Sequence, residues 1–309
     1  MSTTIQALIG QIAARTGYST EEVARVAWAS ITTPGDPRIG HVVDVMGAEE
    51  ALDFALNSKL DVAGGLNIRA LREQVEQLTY RYGIEKPLDL TRDHHLTLLT
   101  PAHPAWPRMV DQLGAAAPLV LWAAGDAAAL RRPLVAVTGP VEPSPFGIHA
   151  AVDLGTGLPG RGWQLATGDR LGTEMLAVQG AVRMGGTTVV LTPRGLHAPR
   201  KQAAGSLLAR ILERGAAISE RPPEEPFALL SARERAAQLL AALADKTVIA
   251  EAVPGDPAVV TAETAAQLHR PVGVAASPAA PEEALEGYGY LTGTLGAAPI
   301  RSAQEVDWL

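Results

Sequence analysis

The chain has 309 residues, of which 47% are apolar and 19% charged, with a net charge of −7 and no cysteine. Such a composition belongs to a core-forming globular chain and not to a disordered one. It excludes disulfides, thiolate zinc sites and cysteine nucleophiles, and it argues against a surface coated in basic residues without excluding a local basic groove.

No apolar run is long enough to span a bilayer. Residues 1–6 carry neither the basic start nor the apolar core of a signal peptide, so a cytoplasmic protein is expected. Residues 17–90 read as helical. Ser19 and Glu22 form a capping-box pattern, after which Val23, Val26, Ala27 and Ile31 share one face. The stretch Thr33–Pro37 breaks that helix. Ile39, Val42, Val43 and Val45 open a second helix, and Ala48–Leu56 forms a third. A fourth is expected over Leu66–Tyr82, with Leu71, Val75 and Leu78 as its apolar positions.

Residues 91–132 read as a connector. His94 and His95 are adjacent, so in a strand they would point to opposite faces, and His103 adds no ligand spacing. No metal site is expected there. Leu96–Thr100 reads as a strand entering a proline-fixed turn, and Pro118–Trp122 as another strand leading to Gly125.

The chain is organised around residues 133–195. Pro133–Gly139 is a short apolar run ending in glycine, the pattern of a buried parallel strand delivering the chain to a tight turn. Phe146 and Gly147 open a segment of weak helical periodicity. Trp163–Thr167 is a second strand ending at Gly168. Gly168–Gly172 then opens onto a helix at Thr173–Val178, and Thr187–Leu191 is a third strand. A helix over Ser206–Arg214 ends at Gly215, and Ala216–Glu220 is a fourth strand. A helix over Ser231–Ala244 carries Arg233 and Arg235. Thr247–Ala250 is a fifth strand, Pro254–Pro257 a turn, Val260–Leu268 a helix and Pro271–Ala275 a sixth strand, followed by a short tail.

Repeated strand, glycine turn and helix is the grammar of an α/β fold with an open, doubly wound, mainly parallel sheet. Residues 1–90 form a small helical domain before it. The strands at 135–139, 187–191 and 247–250 are expected to be parallel neighbours. Ligands of such sheets sit at the carboxyl ends of the strands, so the turns at Gly139, Gly168 and 192–195 are where function is sought.

At those turns Gly139, Gly168 and Gly172 either serve the tight geometry alone or let a phosphate approach the backbone. No Walker lysine follows them and no acidic ribose reader is placed, so no nucleotide cofactor is expected. Arg170, Arg194, Arg200 and Lys201 lie in or beside the strand-end loops, and arginine matches phosphate oxygens bidentately. Arg233 and Arg235 are two residues apart and do not share a helix face, so at most one of them faces a groove. Phe146 is the best-placed aromatic for stacking on a base, with Phe227 second.

Several stretches, in order and at similar spacing, resemble the DprA/Smf family of DNA-processing proteins. They are Ala24–Trp28 through Ala51, Trp106–Trp122, Val135–Gly139 with Phe146 and Gly147, Gly185–Leu191, Arg210–Gly215 with Ile218–Pro223, and Gly287–Leu309. The resemblance covers nearly the whole chain and stops short of a winged-helix appendage. It implies a Rossmann-like domain over 133–309, non-catalytic binding of single-stranded DNA, a homodimer and the RecA recombinase as partner. With the strand-end positions read above, the candidate DNA-binding set is Gly139, Phe146, Gly168, Arg170, Gly172, Arg194, Arg200, Lys201, Arg233 and Arg235.

The departures from the family fall in the binding site. The family's first-turn arginine maps to Val141. Its Arg-Gly-Ile-Asp turn maps to Leu171, Gly172, Thr173 and Glu174, and the following histidine to Val178. Its Arg-Asn-Arg becomes Arg233, Glu234 and Arg235, and the Ser-Gly before the last helix becomes Asp256 and Pro257. Three functions stay open: weaker DNA binding through other residues, a LOG-type nucleoside-monophosphate phosphoribohydrolase, or a scaffold without a ligand. For the hydrolase, the family's loop after the fifth strand is kept only in Pro254 and Gly255.

Overall fold

The computed structural model describes residues 5–77, 83–197, 202–225, 230–276 and 280–309. The amino-terminal part is helical: α1 (Ile5–Thr16), α2 (Thr20–Ile31), α3 (Pro37–Met46), α4 (Ala48–Asn57), α5 (Ile68–Gln77) and α6 (Glu85–Asp93), with a hairpin of β1 (Val62–Ala63) and β2 (Leu66–Asn67) before α5. The expected capping box holds the start of α2. Glu22 N donates to Ser19 Oγ at 3.2 Å, and Ser19 N donates to Glu22 Oε2 at 2.8 Å. Trp28 is buried at the centre of the module and its indole N–H donates to Ala48 O at 3.0 Å.

Three helical expectations change. α1 precedes the expected start at residue 17; its buried Ile5, Ile9 and Ile12 form a three-to-four-residue stripe. The fourth expected helix begins at Ile68 and not at Leu66, because Leu66 and Asn67 pair with β1 and Asn67 Oδ1 accepts from Ala70 N at 2.9 Å. Its Leu71 and Val75 are buried as read, and Leu78 to Tyr82 lie outside the described residues. Val45 is 69% exposed, two residues along α3 from buried Val43 and so turned to the opposite side.

The rest of the chain builds one sheet of nine strands. In chain order these are β3 (Thr97–Leu99), β4 (Leu121–Gly125), β5 (Leu134–Thr138), β6 (Gln164–Gly168), β7 (Thr188–Leu191), β8 (Ala216–Ser219), β9 (Lys246–Ile249), β10 (Val272–Ala275) and β11 (Ala298–Ile300). Their order across the sheet is β11-β10-β9-β5-β6-β7-β8-β4-β3. From β11 to β8 every pair is parallel; β4 and β3 extend the sheet antiparallel. The expected α/β, doubly wound, mainly parallel architecture is present. β9 does lie beside β5, but β6 stands between β5 and β7, so 187–191 neighbours 164–168 and not 135–139. The chain winds outward from β5 to β8 and returns to β9 on the other side of β5, which makes the carboxyl ends of β5, β6 and β9 the switch point.

Helices α7 (Pro145–Gly157), α8 (Thr173–Arg183), α9 (Gln202–Leu212), α10 (Leu230–Leu243), α11 (Pro257–Gln267) and α12 (Glu282–Thr294) connect the strands. The carboxyl-terminal stretch is therefore a full helix and edge strand, closed by a short 3-10 turn at Ala303–Trp308, and not a tail. His94 and His95 end α6 instead of entering a strand, with His95 at φ 51°. Trp122 of β4 is buried against the helical module and its indole N–H donates to Thr91 Oγ1 at 2.9 Å. No helix among the described residues is long and apolar enough to cross a membrane.

α7 and α8 cross at glycines. A Cβ on Gly155 would lie 2.3 Å from Ala177 O, a backbone atom of the neighbouring helix that cannot swing away. Gly155→Ala is therefore expected to destabilise the protein by about 1–3 kcal/mol through overpacking, against the ~1 kcal/mol that alanine contributes to an unpacked helix. Urea unfolding of the two proteins checks the sign.

Candidate functional site

The crevice at the switch point is filled by the protein's own side chains. Arg170, in the turn after β6, reaches across it. Its Nε donates to Glu174 Oε1 at 3.0 Å, and its Nη1 to Asp256 Oδ1 and Oδ2 at 3.2 and 3.1 Å. Its Nη2 donates to Gly139 O at 2.7 Å and Thr138 Oγ1 at 3.2 Å. Glu174 is buried. It also accepts from Arg170 N at 2.9 Å and from Thr138 Oγ1 at 2.7 Å. Burial acts to lower the Arg170 pKa, but the charges and hydrogen bonds of Glu174 and Asp256 outweigh it, so the guanidinium is held above its ordinary value. The space left among Thr138, Gly168, Arg170, Glu174, Leu191 and Arg233 is about 30 Å³, room for about one water.

Helix N-termini at such a switch point ordinarily offer their free N–H groups to phosphates. Here each one is met by a carboxylate. At α7, buried Glu251 accepts from Ser144 N at 2.9 Å. At α8, Glu174 sits in the first turn. At α11, Asp256 is the N-cap and accepts from Ala258 N at 2.8 Å. The expected glycine cradle is packed in the same way. A Cβ at Gly139 would lie 2.9 Å from the Thr173 side chain, and one at Gly168 2.5 Å from Glu174 Oε2. At Gly172, whose φ is 77°, it would lie 2.0 Å from Val141 O. These glycines answer close contacts within the protein.

The remaining candidates separate. Arg194 is half-buried, with Nε 3.4 Å from Asp169 Oδ2, which also accepts from Thr192 Oγ1 at 2.7 Å. Arg233 is exposed in the first turn of α10 and lines the mouth of the crevice. Arg235 is corrected as a groove residue. It is buried, donates from Nε and Nη2 to Glu220 at 2.8 and 2.9 Å and to Ala116 O at 2.9 Å, and is packed beneath Gly35. Arg170 is likewise committed to internal partners. Phe146 is half-buried and lines a separate trough with Ala252, Tyr288 and Arg301. Arg200, Lys201 and Phe227 lie outside the described residues. At the rim, Val141 and Leu171 are 41% and 59% exposed. Glu251 was missed from the sequence; the signal was an acid two residues beyond a strand of the switch point. Among the described residues no group of three or more acidic or histidine side chains could hold a metal ion.

A family model described as DNA recombination-mediator protein A matches residues 97–306. The chain is 29% identical over 280 residues to the DNA processing protein DprA of Mycobacterium tuberculosis, a match covering 82% of this chain and 67% of that protein. The X-ray structure of DprA from Streptococcus pneumoniae is similar with a TM-score of 0.75 at 21% identity, covering 94% of this chain and 97% of that one. A structure that gives insight into single-stranded DNA binding by DNA processing protein A of Helicobacter pylori is similar with a TM-score of 0.58 at 22% identity, covering 68% and 93%. At these identities the two structures establish the shared fold.

Removing the Arg170 side chain strands two buried or half-buried carboxylates. Arg170→Ala is expected to destabilise the protein by about 3 kcal/mol. Adding Glu174→Gln should recover part of that loss, because the charge left without a partner is removed. A double-mutant cycle by urea unfolding measures the coupling, and additive losses would show that Arg170 and Glu174 do not act together.

Proposed function

This chain belongs to the DNA recombination-mediator protein A family, and from that premise we propose that it binds single-stranded DNA, weakly and without catalysis, at the rim of the strand-end crevice and not inside it. The observation that supports the rim is the exposed position of Arg233 at the crevice mouth, beside the loop that carries Arg194. The basic pair Arg200 and Lys201, six and seven residues after Arg194 in the sequence, is proposed to add to these cations. Backbone phosphates are neutralised there by cations, and bases are not read, since binding of this kind depends on local field and phosphate contact. The role proposed is that of a DNA-processing and recombination-mediator protein, cytoplasmic and homodimeric, with the RecA recombinase as the partner that the family resemblance implies.

A phosphoribohydrolase is disfavoured by the same geometry. It needs a carboxylate available to the sugar, whereas Glu174 is engaged by Arg170 and Thr138, and Glu251 by Ser144 N. The scaffold reading has one observation in its favour, the crevice filled by Arg170, Glu174 and Asp256. It makes a different prediction for salt dependence.

With about three to four cations at the rim, binding of an oligothymidylate is expected to show a log–log salt slope of about −2 to −3, at about −0.7 per phosphate on single strands. Arg233→Ala should flatten that slope by about 0.7, and the double change of Arg200 and Lys201 to Ala by about 1.4. Val141→Arg should steepen it by a similar single step. Fluorescence anisotropy over a salt series reads all four. Salt-independent or absent binding in the wild type that Val141→Arg does not restore would replace this reading with the scaffold.

A further inference from the structure

The other end of the sheet carries an open basic cleft. We propose that the cleft at the amino-terminal ends of β5 and β9 binds phosphate groups through Arg108, Arg131 and Arg132. It lies at the opposite end of the strands from the rim and does not rest on the DNA reading above.

The cleft has a volume of about 260 Å³ and is lined by these three arginines with Trp106, Leu243 and Asp245 among its walls. It is several times larger than the space left in the strand-end crevice. Its cations are brought together by two short 3-10 segments. Arg108 opens the segment Arg108–Ala116 directly after Pro107, and Arg131 closes the segment Ala127–Arg131. Arg132 and Pro133 then lead into β5. Two prolines thus fix the backbone on either side of the cleft.

Each acid nearby has one oxygen engaged elsewhere in the protein. Asp111 Oδ1 accepts from the Trp106 indole N–H at 2.8 Å, Asp126 Oδ1 from Ala128 N at 3.0 Å, and Asp245 Oδ2 from Leu134 N at 2.8 Å. Arg108 and Arg132 each approach one of them, Asp111 and Asp126, only to 3.9 Å, beyond hydrogen-bonding range. The Arg131 side chain makes no hydrogen bond or ion pair among the described residues, and all three arginines are exposed. Among the lining residues three cations face one carboxylate. Guanidinium forks with free donors match phosphate oxygens in pairs, and a local cluster creates its own field in a chain that is acidic overall. Trp106 is only 2% exposed, so it offers no face for stacking. The cleft therefore recognises the phosphate and not a base. Its source is either the backbone of a nucleic acid or a free small phosphate.

The test uses the full chain, an Arg131→Gln/Arg132→Gln variant and Arg233→Ala in parallel. Pyrophosphate binding is measured by isothermal titration calorimetry, and oligothymidylate binding by anisotropy over a salt series. Wild type and Arg233→Ala should bind pyrophosphate, and the double variant at least about tenfold more weakly, the loss expected when charged hydrogen bonds are removed. If nucleic acid is the source, the double variant also flattens the oligonucleotide slope by about 1.4; an unchanged slope with lost pyrophosphate binding assigns the site to a free phosphate. Arg108→Gln provides a second, single-site variant should the double one fold poorly. Pyrophosphate binding that is absent in the wild type, or unchanged in both folded variants, overturns the proposal. A wild type that binds pyrophosphate but no oligonucleotide defeats the DNA reading and leaves this site standing.

Discussion

The switch point of this sheet is held by one guanidinium. Arg170 uses Nε, Nη1 and Nη2 together on Glu174, Asp256, Thr138 and Gly139. A cation taken out of water in this way is costly unless every donor finds an acceptor and the charge finds its opposite. Both conditions are met, and they tie together β5, the turn after β6 and the N-cap of α11. The space in which sheets of this order ordinarily hold a ligand has become a piece of polar core. Asp256 also caps the N-terminus of α11 and Glu174 places its charge in the first turn of α8, so the same groups that neutralise Arg170 stand where a phosphate would otherwise be drawn.

Most of the fold was legible in the sequence, and the reason is local. Runs such as Leu134–Thr138 and Thr188–Leu191 are short, mostly apolar and flanked within two residues by glycine or proline, and all their residues are buried. The Ser19 capping box is a signal carried within four residues, whereas α11 starts at Pro257 behind the Asp256 N-cap, inside what reads as a turn and three residues before the expected Val260. What escaped depended on partners distant in sequence or on weak periodicity. Leu66 pairs with Ala63 across a hairpin, and α12 spaces its buried Ala284, Gly287 and Leu291 among charged and glycine residues.

The candidate site was legible in position but not in meaning. Arg170 reads as a phosphate ligand because it lies in a strand-end turn, and Arg235 because it belongs, with Arg233, to the pair that stands at the family's Arg-Asn-Arg. Their sequence neighbourhood does not show that Asp256 lies across the crevice from one, or that Glu220 pairs with the other. An arginine facing solvent and an arginine locked in an ion pair look alike in a sequence. Only burial and the partner separate them, as the contrast between exposed Arg233 and buried Arg235 in the same helical turn shows.

The glycines carry a related lesson. Close approach of backbone to a bound phosphate and close approach of backbone to a neighbouring side chain impose the same demand, a residue without Cβ. Gly168 would be kept small by Glu174 even if no ligand had ever entered, and Gly139 by Thr173. Glu174 in turn is held by Arg170 and Thr138. Replacing the glycine would push on the carboxylate, and moving the carboxylate would strand the guanidinium. The turn that marks a ligand site in the fold is therefore preserved here by internal packing, and its retention is evidence about stability first. Binding must be argued from exposed cations, and two groups of them lie at the two ends of the strands: at the rim beside Arg233, and in the cleft of Arg108, Arg131 and Arg132.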